Sequence, residues 1–223
     1  MLVYPRKWKF TFSPHPKSFN TGLIIMKQIT FKQYRAIDLG MLCVLTAVFE
    51  VIATLATNRW FNLQAMAVSI SLSLTCIAIL RWNAFAIFPA LAGAFALCFS
   101  SDASVEQFAV YCGGAIFSIL AVPIALKMNK EKIRLGFLRR TAFATITYLC
   151  VVIGRWLISL IFDFNPISIV GFLISDILSL LFAILVLYVC KNLDGVIEDQ
   201  KHYLIRLDEE RQAEQKANLN DDF

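Results

Sequence analysis

The sequence predicts an all-α, polytopic membrane protein: a compact bundle of about six transmembrane helices with cytoplasmic N- and C-termini. Residues are 58% hydrophobic and only 17% charged. The apolar residues fall in long runs, where a soluble helix would alternate with a period of three or four. Lysine and arginine are crowded into alternate short connections, the signature of loops kept on the inner side of a membrane.

A helix needs roughly 20 mainly apolar residues to cross about 30 Å of hydrocarbon. The expected spans are Ile37–Thr57, Leu63–Leu80, Ala84–Phe99, Val105–Leu126, Thr141–Phe162 and Ile167–Cys190. The third is short and carries Pro89, which predicts a kinked, tilted or partly re-entrant segment. Lys27, Lys32 and Arg35 precede the first span, and Arg81 lies in the second connection. Lys127, Lys130, Lys132, Arg134, Arg139 and Arg140 crowd the fourth, while the alternate connections hold only Arg59 among cations. An even number of crossings agrees with that bias. Trp60 and Trp82 fall at opposite span ends, where interfacial aromatics belong.

The segments outside the spans differ in kind. Residues 1–25 contain several cations and prolines but only a brief apolar run at Leu23–Met26, too short for a signal-peptide core. They are expected to be disordered or an upstream extension, with Met26 as the natural start. Residues 26–190 form the transmembrane domain. Residues 191–223 read as a charged helical tail, mostly solvated, whose apolar stripe (Val196, Ile197, Tyr203, Leu204, Leu207) fades after Leu207.

Charge and motifs exclude several function classes. Residues 1–190 carry sixteen cations against seven anions, and residues 191–223 carry five against nine. The net +5 is therefore a topological signal, and no folded basic domain suggests nucleic-acid binding. The six cysteines sit in or at the ends of spans without paired short spacing and read as small packing residues. His15 and His202 lie far apart outside the spans, so no metal or other cofactor is expected. No Gly-x-x-x-x-Gly-Lys-Ser/Thr or His-Glu-x-x-His occurs, and the chain does not read as an enzyme.

The candidate site comes from ionisable residues inside the expected spans: Glu50, Arg155 and Asp176. A charge at bilayer depth is costly on any scale and normally faces a partner or a wet cavity. Residues three, four and seven apart share a helix face, so Thr46, Glu50, Thr54 and Thr57 form one stripe, continued inward by the small residues Ala36, Gly40, Cys43 and Ala47. On the fourth span Gln107, Tyr111, Gly114 and Ser118 repeat the pattern. On the fifth, Tyr148, Arg155 and Ser159 share a face, with Arg155 about 20 Å from the inner end at roughly 1.5 Å per residue. Asp176 falls near mid-depth of the sixth, flanked by Ser175 and Ser179. The expected solute-binding residues are Glu50, Thr54, Gln107, Tyr111, Arg155, Ser159 and Asp176. If Arg155 pairs with one carboxylate, the other is left for a cationic or amine-bearing solute. If Arg155 is free, a carboxylate-bearing solute is equally natural. The plainer alternative is that Glu50 only hydrogen-bonds a neighbouring helix.

The basic lead-in Lys27-Gln-Ile-Thr-Phe-Lys-Gln-Tyr-Arg35, the six compact spans and the polar outer halves resemble the substrate-binding S component of energy-coupling-factor (ECF) transporters over Met26 to Cys190. That resemblance implies capture of a vitamin or other micronutrient from outside, and docking on a membrane coupling subunit driven by cytoplasmic ATPases. The Ala-x-x-x-Ala pattern often carried on the first span of such proteins has its nearest equivalents here at Ala36/Gly40 and Cys43/Ala47. The implied setting is the plasma membrane of a bacterium, with the lipid bilayer and a small solute as further partners. A second resemblance, to the rod-shape-determining MreD family, implies a non-catalytic scaffold with closed internal polar pairs. A self-sufficient channel or secondary transporter is a third possibility.

Overall fold

The helices of this chain are inside out relative to a soluble protein. On the first helix, α1 (Phe31–Trp60), Met41 is 70% exposed and Val44, Val48, Ile52 and Leu55 share its outward face, whereas Thr46 and Glu50 are wholly buried. Apolar side chains cover the outside and polar ones turn inward, which suits a lipid-facing exterior rather than water. The computed structural model describes residues 30–60, 69–161, 169–193, 195–206, 209–210 and 213. Among these residues the fold is all-α, with no strand. The expectation for residues 1–25 lies outside them.

Among the described residues, four helical runs are long and apolar enough to cross a membrane: Phe31–Thr57, Ser71–Ser100, Val105–Met128 and Phe137–Ile161. A bent pair, Ile169–Ser175 with Ile177–Cys190, makes a fifth if it counts as one span.

The second run is not straight. It comprises α2 (Ser71–Trp82), a 3₁₀ turn over Asn83–Ala86 and α3 (Ile87–Ser100). Asn83 adopts φ 55° and ψ −124°, far outside the helical region. It folds α3 back beside α2, so that Gly93 in the middle of α3 lies against Ser71 at the head of α2. A Cβ at Gly93 would collide with Ser71 and Thr46, so only glycine permits this approach of α1, α2 and α3. The irregularity expected near Pro89 lies just before it, in the 3₁₀ turn Asn83–Ala86 rather than inside α3. Pro89 falls in the first turn of α3, where its missing N–H forfeits no helical hydrogen bond.

The third run joins α4 (Val105–Phe117), a 3₁₀ turn over Ser118–Leu120 and α5 (Ala121–Met128). Pro123 explains the interruption, because it has no N–H to offer the carbonyl of Ile119. Asn129, at φ 61°, ends the run and caps α6 (Lys130–Leu135), its side chain accepting from the Glu131 N–H at 3.1 Å. The expected fifth span begins earlier than its apolar stretch. Helix α7 runs Phe137–Ile161 and incorporates Arg139 and Arg140. Arg140 is buried, donates to the Leu187 carbonyl at 3.3 Å and lies over the Tyr188 ring, so it packs rather than lining a loop. The final pair, α8 (Ile169–Ser175) and α9 (Ile177–Cys190), is bent by 47° at Asp176.

The tail departs from expectation. Among the described residues, 191–193 and 195–198 form turns and bends, and helix follows at 200–206, 209–210 and 213. Gly195, at φ 74°, holds a backbone conformation that other residues rarely adopt, and its carbonyl accepts from Arg81 at 3.2 Å and from the buried Gln200 amide at 2.5 Å. Ile197 enters the same apolar core as Ile79, Leu80, Ile133, Phe143 and Leu187. The proximal tail is thus docked, not solvated. By contacts the chain divides into Met1–Asp38 and Leu39–Phe223. In the first unit, Thr30 and Gln33 cap the start of α1 reciprocally, at 2.9 and 3.3 Å.

Candidate functional site

Glu50 is the anchor. Its carboxylate meets the first turn of α2, where Oε2 accepts from the backbone N–H groups of Ile70 and Ser71, both at 2.9 Å. A helix start leaves its first N–H groups without partners and carries partial positive charge, so an acid from a neighbouring helix fits there. Ser69, just upstream, donates its N–H to the Ser179 hydroxyl at 2.8 Å and ties the head of α2 to α9.

Arg155 comes from the middle of α7 and is buried. Its Nη1 pairs with Oδ2 of Asp176, at the bend between α8 and α9. Asp176 precedes α9 yet makes no capping bond with its side chain, which is spent on the guanidinium. The other face of the guanidinium is covered by the Tyr111 ring of α4, 4.6 Å from Arg155 Cζ to the centroid. Gly114 makes this possible: a Cβ there would strike the Arg155 side chain and the backbone of α7. Tyr148, two turns earlier on the same face of α7, donates to the Leu173 carbonyl at 2.6 Å and secures α8.

Glu50, Arg155 and Asp176 line one cavity of about 30 Å³, together with Ser71, Thr75, Gly93 and Ser118. That is room for a water molecule or two, about a tenth of the smallest common ligand pockets at ~300 Å³. Two buried polar atoms of this group, Glu50 Oε1 and Arg155 Nε, have no hydrogen-bond partner among the described residues. Asn83 Oδ1, Arg140 Nε and Thr141 Oγ1 are unpaired as well, away from the cavity; what sets Glu50 Oε1 and Arg155 Nε apart is that both belong to charged residues lining one cavity, with the Ser69 side chain close to the Glu50 carboxylate.

The other expected site residues are placed differently. Thr54 donates its hydroxyl to the Glu50 carbonyl at 2.8 Å and Ser159 to the Trp156 carbonyl at 2.7 Å, so both are spent on their own helices. Thr46 and Thr57 do the same. Gln107 is exposed and makes a capping box with Ser104 at the start of α4, remote from the cavity lining. Tyr111 reaches the site through Arg155 rather than the cavity wall. Sequence reasoning missed Ser69, Ser71 and Gly93. The alternation Ser69-Ile-Ser71-Leu-Ser73 within an apolar run was the available sign that a helix starts there. Gly40, expected to pack beneath the polar stripe, has open space where a side chain would stand.

Among the described residues no group of three His, Cys, Asp or Glu side chains converges as metal ligands. The six cysteines are free thiols. Comparison with protein-family models, curated proteins and solved structures finds no match to this chain.

Proposed function

We propose that this chain is an integral membrane solute-binding protein, working as the substrate-capturing subunit of an importer of the ECF type. In this reading it crosses the plasma membrane of a bacterium six times with both ends in the cytoplasm, and α2 and α3 are separate crossings. It takes a vitamin or other micronutrient from outside, and separate coupling and ATPase subunits supply the energy. The supporting observation is one cavity bordered by three charged residues from different helices, with a carboxylate oxygen and a guanidinium nitrogen left unpaired. A purely structural ion pair gains most when every donor and acceptor is matched. The exposed Gly40 on α1 fits the need for a coupling partner, since a small residue lets a second helix approach closely.

The experiment is a melting-temperature screen of the purified chain against a vitamin and metabolite panel, followed by capture of stable partners. A stabilising solute together with a co-purifying membrane subunit and ATPases is expected. A silent panel removes the reading. Solute flux through liposomes holding this chain alone would instead make it a complete transporter.

A specific observation favours the scaffold alternative resembling the MreD family. Arg155 and Asp176 are paired and Glu50 caps α2, so much of the interior polarity is internally matched. Partners drawn from cell-wall synthesis, with no solute effect on melting, would support it.

A further inference from the structure

Resting on the solute-binding reading, we infer that the cavity recognises the protonated amine of a cationic solute, with Glu50 Oε1 as the accepting atom.

The inference follows from which polar atoms are already spent. Arg155 and Asp176 neutralise each other, and the guanidinium face is covered by Tyr111. Glu50 Oε2 is occupied by the Ile70 and Ser71 amides. What remains is Oε1, on a side chain with 0% exposure in a residue that lines the cavity beside the Ser69 side chain, and the N–H groups of Arg155 not given to Asp176, the buried Nε among them. Two carboxylates face one guanidinium, and Arg155 is the sole cation among the described lining residues. A positive group at Oε1 balances that count and forms a charge-assisted hydrogen bond, stronger than a neutral one.

A carboxylate or phosphate solute fares worse on each point. It would meet two acids, and the amides at the head of α2 that would otherwise cradle an anion are taken by Glu50. Arg155 keeps N–H groups beyond the one given to Asp176, but they lie beside Asp176 and Glu50, so an anion reaching them would sit against both acids. Size agrees: about 30 Å³ accommodates an ammonium head, close to a water molecule in bulk, but no complete vitamin. The rest of the solute has to part the small-residue wall of α3, where Ala90, Gly93 and Ala94 border the cavity.

The test ranks solutes by terminal group on the wild-type protein in detergent, reading apparent affinity from melting-temperature titrations. Series with one skeleton are used, such as pyridoxamine, pyridoxine and 4-pyridoxate, or ethanolamine, ethylene glycol and glycolate, inside a broader metabolite panel sorted the same way. Amine-bearing members are expected to bind best. The Glu50→Gln variant is expected to lose roughly ten- to a hundredfold in affinity for them. Its side-chain oxygen can still accept from the α2 amides, leaving an NH₂ toward the solute. Preference for alcohol or carboxylate members, or undiminished amine binding by Glu50→Gln, overturns the inference and leaves the solute-binding reading standing. A panel in which no class binds removes that reading and this inference together. If Glu50→Gln does not fold, the wild-type ranking alone decides.

Discussion

Two groups of ion pairs hold this molecule together, and they are built to different standards. Where α6 meets the docked tail, Lys130 pairs with Asp199 at 2.7 Å, while Glu198 accepts from Arg134 at 3.2 Å and from Arg206 at 3.0 Å. These partners range up to 46% exposed, and apolar Ile133 and Ile197 pack nearby in the core. In the interior, Arg155 and Asp176 are only 11% and 8% exposed, yet Arg155 Nε and the nearby Glu50 Oε1 stay unmatched beside a cavity. The peripheral group is what a protein uses to fasten a segment, each exposed pair contributing about 0–1 kcal/mol. The interior group pays a desolvation cost without completing its hydrogen bonds, and fastening alone gives no reason to keep it.

The sharpest way to break this contrast is to remove one interior partner. Arg155→Ala leaves Asp176 buried without compensation and should destabilise the protein by about 3–5 kcal/mol. Arg155→Met with Asp176→Leu should recover most of that loss, read by denaturant or thermal unfolding in detergent, while leaving Glu50 as the one charged residue of the cavity lining. If the single variant is as stable as wild type, the pair is not buried as described.

Glu50→Ala comes next. It strands two α2 amides and should cost about 1–3 kcal/mol, the penalty for unsatisfied buried donors. Gly114→Ala should cost a similar 1–3 kcal/mol by overpacking α4 against α7, and displace the guanidinium from Tyr111. Fluorescence or crosslinking between those helices would report the shift.

The peripheral group should respond far less. Asp199→Asn is expected to cost under about 1 kcal/mol and to loosen the tail, raising amide exchange over 196–206. Burial works to raise the Asp199 pKa, but the Lys130 hydrogen bond and charge, the Lys201 N–H and His202 outweigh it and hold it below the usual carboxylate value. The stability it contributes is therefore present above that ordinary value and lost as pH falls through the depressed one. High salt should weaken this group and leave the interior pair nearly untouched. Gln107→Ala should lose only the capping contribution, about 0.5–1 kcal/mol, with solute binding unchanged.

Much of this organisation is legible in the sequence, and the gaps have physical causes. The apolar runs mark the helices because lipid demands them, and Glu50, Arg155 and Asp176 stand out because charge is scarce there. The partner of Glu50 was hidden because it is backbone: the head of α2 lies inside a run, 63–80, that reads as one uninterrupted hydrophobic segment. Gln107 was misplaced because helix spacing aligned it with Tyr111, although Ser104-Val-Glu-Gln107 also spells a capping box. The docked tail was missed because its apolar contact is short, Val196 and Ile197 after a glycine at positive φ, and its remaining ties run through the Gly195 carbonyl and ion pairs to α6, none of which periodicity reveals.

The most direct test is a high-resolution density map of the purified protein in lipid nanodiscs with a stabilising amine present. The expected map shows non-protein density within hydrogen-bonding distance of Glu50 Oε1, inside a chamber bordered by Arg155 and Asp176. A dry, empty space there, or any of the three side chains turned toward lipid, would contradict the existence of a solute site.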